Sequence, residues 1–283
     1  MQLLLGKPIA DRLLQRVAER ITRRGVTPGL AVVLVGDDPA SEIYVGLKEK
    51  AAQSVGVHFE KHVLPTGAST GEACALIQSL NQRADIHGII VQLPLPDGID
   101  TDAVIATIDP TKDADGFHPE TVAQFLSGTS LVPPVFPRAI LALLESAGVP
   151  LDGKRALVFV NSALFGRVMV TALGRFGIHT DTSINLNPEA ITSKLESSDI
   201  VITAKGDPHF LTGSMVRPGT IIIDGGITRV GERVMSDANP ETFLETSGWI
   251  TPVPGGVGPV TVALLITRTA ELALGEEIGE SIL

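Results

Sequence analysis

The sequence predicts an α/β protein built in two domains. Glycine-bounded apolar runs such as Gly29 to Gly36 read as buried parallel strands, helix-start signals recur between such runs, and a proline-rich joint, Pro133-Pro134-Val135-Phe136-Pro137, divides two series of them. The 283 residues are enough for about two domains of roughly 100–200 residues each.

The elements follow in order. After the strand Gly29 to Gly36 (GLAVVLVG), Asp38 caps a helix reaching about Val55, with Pro39 at its first position. Val57 to Leu64 reads as the next strand. Ser69-Thr70-Gly71-Glu72 is a capping box ahead of a helix over Ala73 to Asn81. Gly88 to Leu93 is a buried strand, Thr101 to Ile108 a short helix, and Asp109 to Pro119 a polar stretch without a clear period. Pro137 starts a helix over Arg138 to Ala147. Strand Arg155 to Val160, helix Gly166 to Phe176, strand Ile178 to Ile184, helix Pro188 to Leu195 and strands Ile200 to Ala204 and Thr220 to Asp224 follow. This second series has the β-α-β-α-β order of a Rossmann-like unit. A glycine- and proline-rich loop, Pro252 to Pro259, leads into a last helix over Val260 to Leu274.

Composition narrows the function. With 22 Lys+Arg against 32 Asp+Glu the formal charge is −10, and 44% of residues are hydrophobic, so the chain is neither disordered nor a general polyanion binder. A local basic pocket remains compatible with that balance. The single Cys74 excludes an internal disulfide and a multi-cysteine zinc site, favours a reducing compartment, and reads as a buried, inert thiol. No apolar run approaches the roughly 18–20 residues of a membrane span. The start, Met1 to Pro8, has neither a basic segment nor a long apolar one, so a cytoplasmic protein is expected. His58, His62, His87, His118, His179 and His209 are scattered without metal-ligand spacing; they read as surface or loop residues, and no metal is expected.

Four strings can carry chemistry. Tyr44 and Lys48 are four apart on a helix and share a face, so a ring can stack on a flat heterocycle while an amine reaches its edge. A lysine desolvated in a cleft exchanges protons near neutral pH. Gln92 ends a buried strand, where ligands of open α/β sheets bind, and Pro94 and Pro96 restrict the loop behind it. Asp113 and Asp115 offer two carboxylates to an amidine-like edge or a metal, although two ligands are too few for a dedicated metal cage. Thr251 to Pro259 (TPVPGGVGP) is a stiff loop whose glycines allow a ligand close to the backbone. Each string alone is weak.

Together, YVGLK, GIIVQLPLP, KDADGFHP and TPVPGGVGP resemble, in order and spacing and over essentially the whole chain, the bifunctional methylenetetrahydrofolate dehydrogenase/methenyltetrahydrofolate cyclohydrolase family. The resemblance implies two α/β domains with a cleft between them. Residues 1–128 and 260–283 would form the folate-binding catalytic domain, and 129–259 a Rossmann-like NAD(P)-binding domain. It implies a tetrahydrofolate derivative as substrate, NADP as cofactor with NAD possible, and a homodimer; the acidic balance, with no basic cluster, argues against nucleic acid or an anionic membrane surface as the main partner. Tyr44 would stack on the folate, Lys48 would be the catalytic lysine held by Gln92, and Asp115 would bind the pterin edge. Pro254, Gly255 and Gly256 would line the folate site. Asn161, Ser162, Gly166, Arg167, Asn185 and Ile227 fall at cofactor-binding positions.

The nucleotide side departs from the family pattern. Where the family carries G-R-S-x-x-V-G-x-P, this chain has Val160 for the first glycine, Asn161 for the arginine and Val168 for the proline. A β-branched residue at a turn that usually takes glycine is expected to restrict approach to a pyrophosphate. Ile184-Asn185-Leu186-Asn187-Pro188 holds neither the family's His/Cys-Ser-x-Thr string nor an acidic residue for a ribose hydroxyl. Ala204-Lys205-Gly206-Asp207-Pro208 stands for A-V-G-x-P, and Asp224-Gly225-Gly226-Ile227 for D-V-G-I. A cyclohydrolase without the dehydrogenase step, or a folate-binding paralogue, are the alternatives these departures leave open.

Overall fold

The computed structural model describes residues 1–184, 187–230 and 233–278. In chain order these form β1 (Gln2–Leu3), α1 (Gly6–Arg24), β2 (Gly29–Val35), α2 (Pro39–Val55), β3 (His58–Leu64), α3 (Thr70–Asn81), β4 (Gly88–Val91), α4 (Thr101–Ile105), α5 (Pro119–Ser127) and α6 (Val135–Ser146). Then follow β5 (Arg155–Phe159), α7 (Ala163–Gly174), β6 (His179–Ser183), α8 (Pro188–Glu196), β7 (Ile200–Thr203), β8 (Ile221–Asp224), β9 (Thr228–Val230), β10 (Arg233–Met235), β11 (Trp249–Ile250) and α9 (Val257–Leu274). The chain divides into two compact units, one of Ala10–Val135 with Val262–Leu283, the other of Met1–Ile9 with Phe136–Thr261.

In the first of these units β2 is the middle strand of a three-stranded parallel sheet, β3-β2-β4. All seven of its residues are buried, because both faces of the sheet are covered. Leu30 and Val32 pack with Val17 and Ile21 of α1, Val45, Ala52 and Val55 of α2, and Leu265, Ile266 and Ala270 of α9. Ala31 and Val33 point the other way, onto Ala73, Ile77 and Leu80 of α3. The strand's period of two therefore feeds two cores at once. Helices α2 and α3 both begin on the expected caps: Asp38 accepts the Ser41 amide and hydroxyl, and Ser69 with Glu72 closes the capping box.

The other unit holds a six-stranded, parallel sheet in the order β1-β11-β8-β7-β5-β6. Chain order reverses at β5, which has β6 on one side and β7 on the other, so the carboxyl ends of β5 and β7 flank a topological switch point. Leu157, Phe159, Val201 and Ile222 face Ile191, Leu195, Leu211 and Phe243 in its core.

Several boundaries move from those expected. Residues 1–9 belong with the Rossmann-like unit, because Gln2 and Leu3 pair in parallel with Trp249 and Ile250. Helix α6 starts at Val135, ahead of Pro137; α7 starts at Ala163, and α9 at Val257. Contrary to the expectation of no span-length apolar segment, α9 is long and apolar enough to cross a membrane, at 18 residues and mean hydropathy 1.4. It is a core helix by burial: Val260, Ala263, Leu264, Leu265, Ile266 and Ala270 are all enclosed. Exposing any one of the larger of these would cost about 1.5–3 kcal/mol.

Candidate active site

Helix α2 presents Tyr44 and Lys48 one turn apart, both half-buried. Lys48 Nζ donates to Gln92 Oε1 at 2.6 Å. Gln92 lies just past β4; its amide hydrogen-bonds Val33 O, which extends the sheet by one rung, and its Nε2 donates to Leu93 O at 2.7 Å. The glutamine is thus held at both ends of its amide, and its oxygen can point only at the lysine. Burial pushes the Lys48 ammonium below the ordinary lysine range, and the negative charge of Asp115 opposes that fall.

Asp115 is pushed up to about 6, first by burial, with the Lys48 charge pulling it down and Asp113 pushing it further up. Its side chain makes no hydrogen bond among the described residues, so its oxygens stay open to a ligand. Tyr44 has only burial acting on its hydroxyl, in the upward direction. Tyr44, Lys48, Gln92 and Asp115 all lie in one compact unit.

The pair of carboxylates divides its roles. Asp113, buried, accepts the amides of Gly116 (2.9 Å) and His118 (2.8 Å) and so builds the turn that carries Asp115. Its two oxygens are engaged within the turn, so of the two carboxylates offered to a ligand only Asp115 remains open. The turn is pinned further by Val135, whose amide donates to Asp115 O. Lys112 of the same string caps the end of α3, donating to Asn81 O and Arg83 O. Several of the histidines, as expected in loops or at the surface, also make specific contacts. His118 is buried and accepts the Glu120 amide as the N-cap of α5, His87 accepts the Gly29 amide, and His62 pairs with Glu60. Cys74 is half-buried rather than enclosed and accepts the Thr107 hydroxyl at 3.2 Å. Among the described residues no three His, Cys, Asp or Glu side chains converge as a metal site.

Pro254, Gly255 and Gly256 lie in the other unit, at the entry to α9. Gly255 O accepts the Gly6 amide, and the Gly256 amide closes onto Pro252 O at 2.7 Å. In the same unit the loop after β5 runs through Val160, Asn161 and Ser162 into α7. Ser162 caps the helix, its Oγ accepting the Phe165 amide. Asn161 Nδ2 donates to Lys205 O at 3.0 Å. Gly166 is buried against Thr182 and Val160, where a Cβ would meet Thr182 Cγ2 at 3.3 Å. Arg167 is exposed on α7 with no ion pair among the described residues, and Ile227 is exposed beyond β8. Asn185 lies outside the described residues.

Comparison with known proteins decides the family. Residues 4–115 match the model of the tetrahydrofolate dehydrogenase/cyclohydrolase catalytic domain, and residues 134–277 that of its NAD(P)-binding domain. The chain belongs to the tetrahydrofolate dehydrogenase/cyclohydrolase family. It is 43% identical over 277 residues to the bifunctional protein FolD of Moorella thermoacetica, covering 96% of this chain and 98% of that one. Its identity to the FolD of Geotalea uraniireducens is 40% over 272 residues, 95% of this chain and 97% of the relative. Among solved structures, the FolD of Campylobacter jejuni superposes with a TM-score of 0.89 at 35% identity, covering 97% of this chain and 99% of that one. The Trypanosoma brucei FolD, solved with NADP cofactor and inhibitor, superposes at 0.91 and 31% identity, covering 96% and 97% of the two chains.

The family's NAD(P)-binding domain raises the question of whether these residues fit a dinucleotide. They do. Val160 does not obstruct the turn: its side chain is fully buried under Gly166, and among described non-glycine residues only His209 has a positive φ. The amides of Ala163 and Leu164 take no hydrogen bond among the described residues and face out of the α7 N-terminus, a polarity suited to a phosphate. The expected cost of Val160 is therefore absent.

Proposed function

We propose that this protein oxidises methylenetetrahydrofolate to methenyltetrahydrofolate with NADP and then hydrolyses the methenyl cation to 10-formyltetrahydrofolate. The observation that carries the reading is the Lys48–Gln92 pair, a half-buried amine aimed by a fixed amide oxygen, in one unit with an open Asp115. Tyr44 offers a ring face to the folate. The open oxygens of Asp115 accept N–H groups from its amidine-like edge.

Lys48 carries the protons of the hydrolytic step. Its lowered pKa enlarges the amine fraction near neutral pH, and that amine takes a proton as water adds to the methenyl carbon. The resulting ammonium returns a proton to the nitrogen released when the carbon–nitrogen bond breaks and the ring opens. One proton is left in solution for each cation consumed. For the oxidative step, a bound nicotinamide supplies the hydride acceptor; Ser162, the α7 amides, Asn161 and Lys205 are the residues that would hold its dinucleotide.

The assay follows reduction of NADP and of NAD with methylenetetrahydrofolate, beside hydrolysis of methenyltetrahydrofolate. Both activities are expected. Hydrolysis with neither cofactor reduced would leave a cyclohydrolase alone, and neither activity with folate bound would leave a binding protein. We also propose a homodimer acting in the cytosol. Among the described residues strand β3 is a seven-residue edge with its outer side unpaired and Val63 exposed, a surface that invites a second chain, and the lone thiol suits a reducing compartment. Sedimentation at micromolar concentration tests the dimer.

A further inference from the structure

The loop after β7 is built around a buried carboxylate. Asp237, fully buried, accepts the amides of Lys205 (2.8 Å), Gly206 (3.3 Å) and Asp207 (2.8 Å) and the Thr203 hydroxyl. Gly226 lies against the same carboxylate, where any Cβ would collide with it. The neighbouring Asp224 accepts the amides of Gly226 and Ala238, tying the loop after β8 to the same centre. Four hydrogen bonds to one side chain fix where residue 205 sits.

From that fixed backbone, Lys205 reaches across the carboxyl edge of the sheet. Its Nζ donates to Ile184 O at 2.6 Å, immediately past β6, and its carbonyl accepts Asn161 Nδ2, two residues past β5. An ammonium has three N–H groups, and only one is engaged by Ile184. The end of the second strand of a Rossmann-like unit is where the adenosine ribose of a dinucleotide is read, by an acidic residue for a free 2′-hydroxyl or a basic one for a 2′-phosphate. Residues 184–188 contain no acidic residue, and Asn161 replaces the arginine of the family pattern. The ammonium delivered to that strand end comes from a different loop.

We propose that Lys205 determines cofactor specificity, its ammonium binding the 2′-phosphate of NADP. This rests on the reading of the unit as a dinucleotide site. The test measures binding, by calorimetric titration of the full chain with 2′,5′-ADP and with 5′-AMP. The protein is expected to prefer 2′,5′-ADP by about tenfold or more, as a charge-assisted contact to phosphate implies. Lys205→Met should collapse that preference to about twofold through loss of 2′,5′-ADP affinity, while Lys205→Arg keeps most of it. A Lys205→Met protein that keeps the preference, or that loses both fragments equally, overturns the assignment. If the unsubstituted protein binds neither fragment, the dinucleotide reading itself fails, whereas binding of both with equal affinity sinks only the role of Lys205.

Discussion

Lys48 and Gln92 come from different elements, a helix and the end of a strand, and meet at 2.6 Å through a glutamine whose own nitrogen is tied to Leu93 O. The second bond matters because it fixes which end of the amide faces the lysine. Replacing the amine is expected to remove hydrolysis while sparing the fold. Lys48→Met should lower the rate of methenyltetrahydrofolate hydrolysis by about 10²–10⁴-fold, the usual worth of a positioned proton carrier. Its thermal unfolding should be unchanged or slightly raised, since a partly desolvated charge is removed. Loss of the methenyl absorbance over time, with a melting curve beside it, checks both.

Gln92 should set the pH at which that proton carrier works. Gln92→Glu places a carboxylate beside Nζ and favours the ammonium, whereas Gln92→Leu removes the acceptor and deepens the depression that burial already causes. The lysine-dependent limb of the pH profile of kcat/KM is therefore expected to move up by about one unit or more in the first variant. In the second it should move down. Limbs that stay in place, or shift together, would separate Gln92 from the lysine's ionisation.

Asp115 makes a stability prediction with a definite sign. Its folded pKa, about 6, lies above the unfolded value of about 3.9, so the folded state holds the extra proton between those limits. Stability from this group is greatest below about pH 4 and is lost as pH rises toward 6. Asp115→Asn cannot ionise and has no hydrogen bond among the described residues to lose. Relative to the unsubstituted protein, it should gain melting temperature progressively from pH 4 to 6 and hold that gain above. A pH-independent difference would contradict the burial of this carboxyl.

The central strand and the helix caps were legible because they obey local rules. GLAVVLVG is apolar at every position since both faces of β2 are covered, and Ser69-Thr70-Gly71-Glu72 makes both of its capping bonds. Helix α1 escaped the reading, although Ile9, Leu13, Val17 and Ile21 recur every four residues and are all buried. Strands β1 and β11, two residues each, carry no periodicity at all. Nor could spacing alone separate Asp113 from Asp115, because the distinction lies in which carboxylate turns inward to the Gly116 and His118 amides. The centre at Asp237 was hidden for the same reason: its partners lie thirty or more residues away, and nothing nearby in sequence marks it.

The departure at Gly225 has a physical partner that can be tested. Gly225 stands where the family pattern has valine, and a Cβ there would lie 2.6 Å from Phe136 Cζ, so the phenylalanine ring occupies the room a valine side chain needs. That ring also meets Phe165 edge-on, with centroids 5.5 Å apart. Gly225→Val should therefore destabilise by about 1–3 kcal/mol through overpacking. Phe136→Ala should destabilise by leaving the space empty. The double variant is expected to be more stable than the sum of the two losses predicts, with a coupling of about 0.5–3 kcal/mol. Urea denaturation of the four proteins measures it, and strictly additive losses would show that glycine and ring do not share that volume.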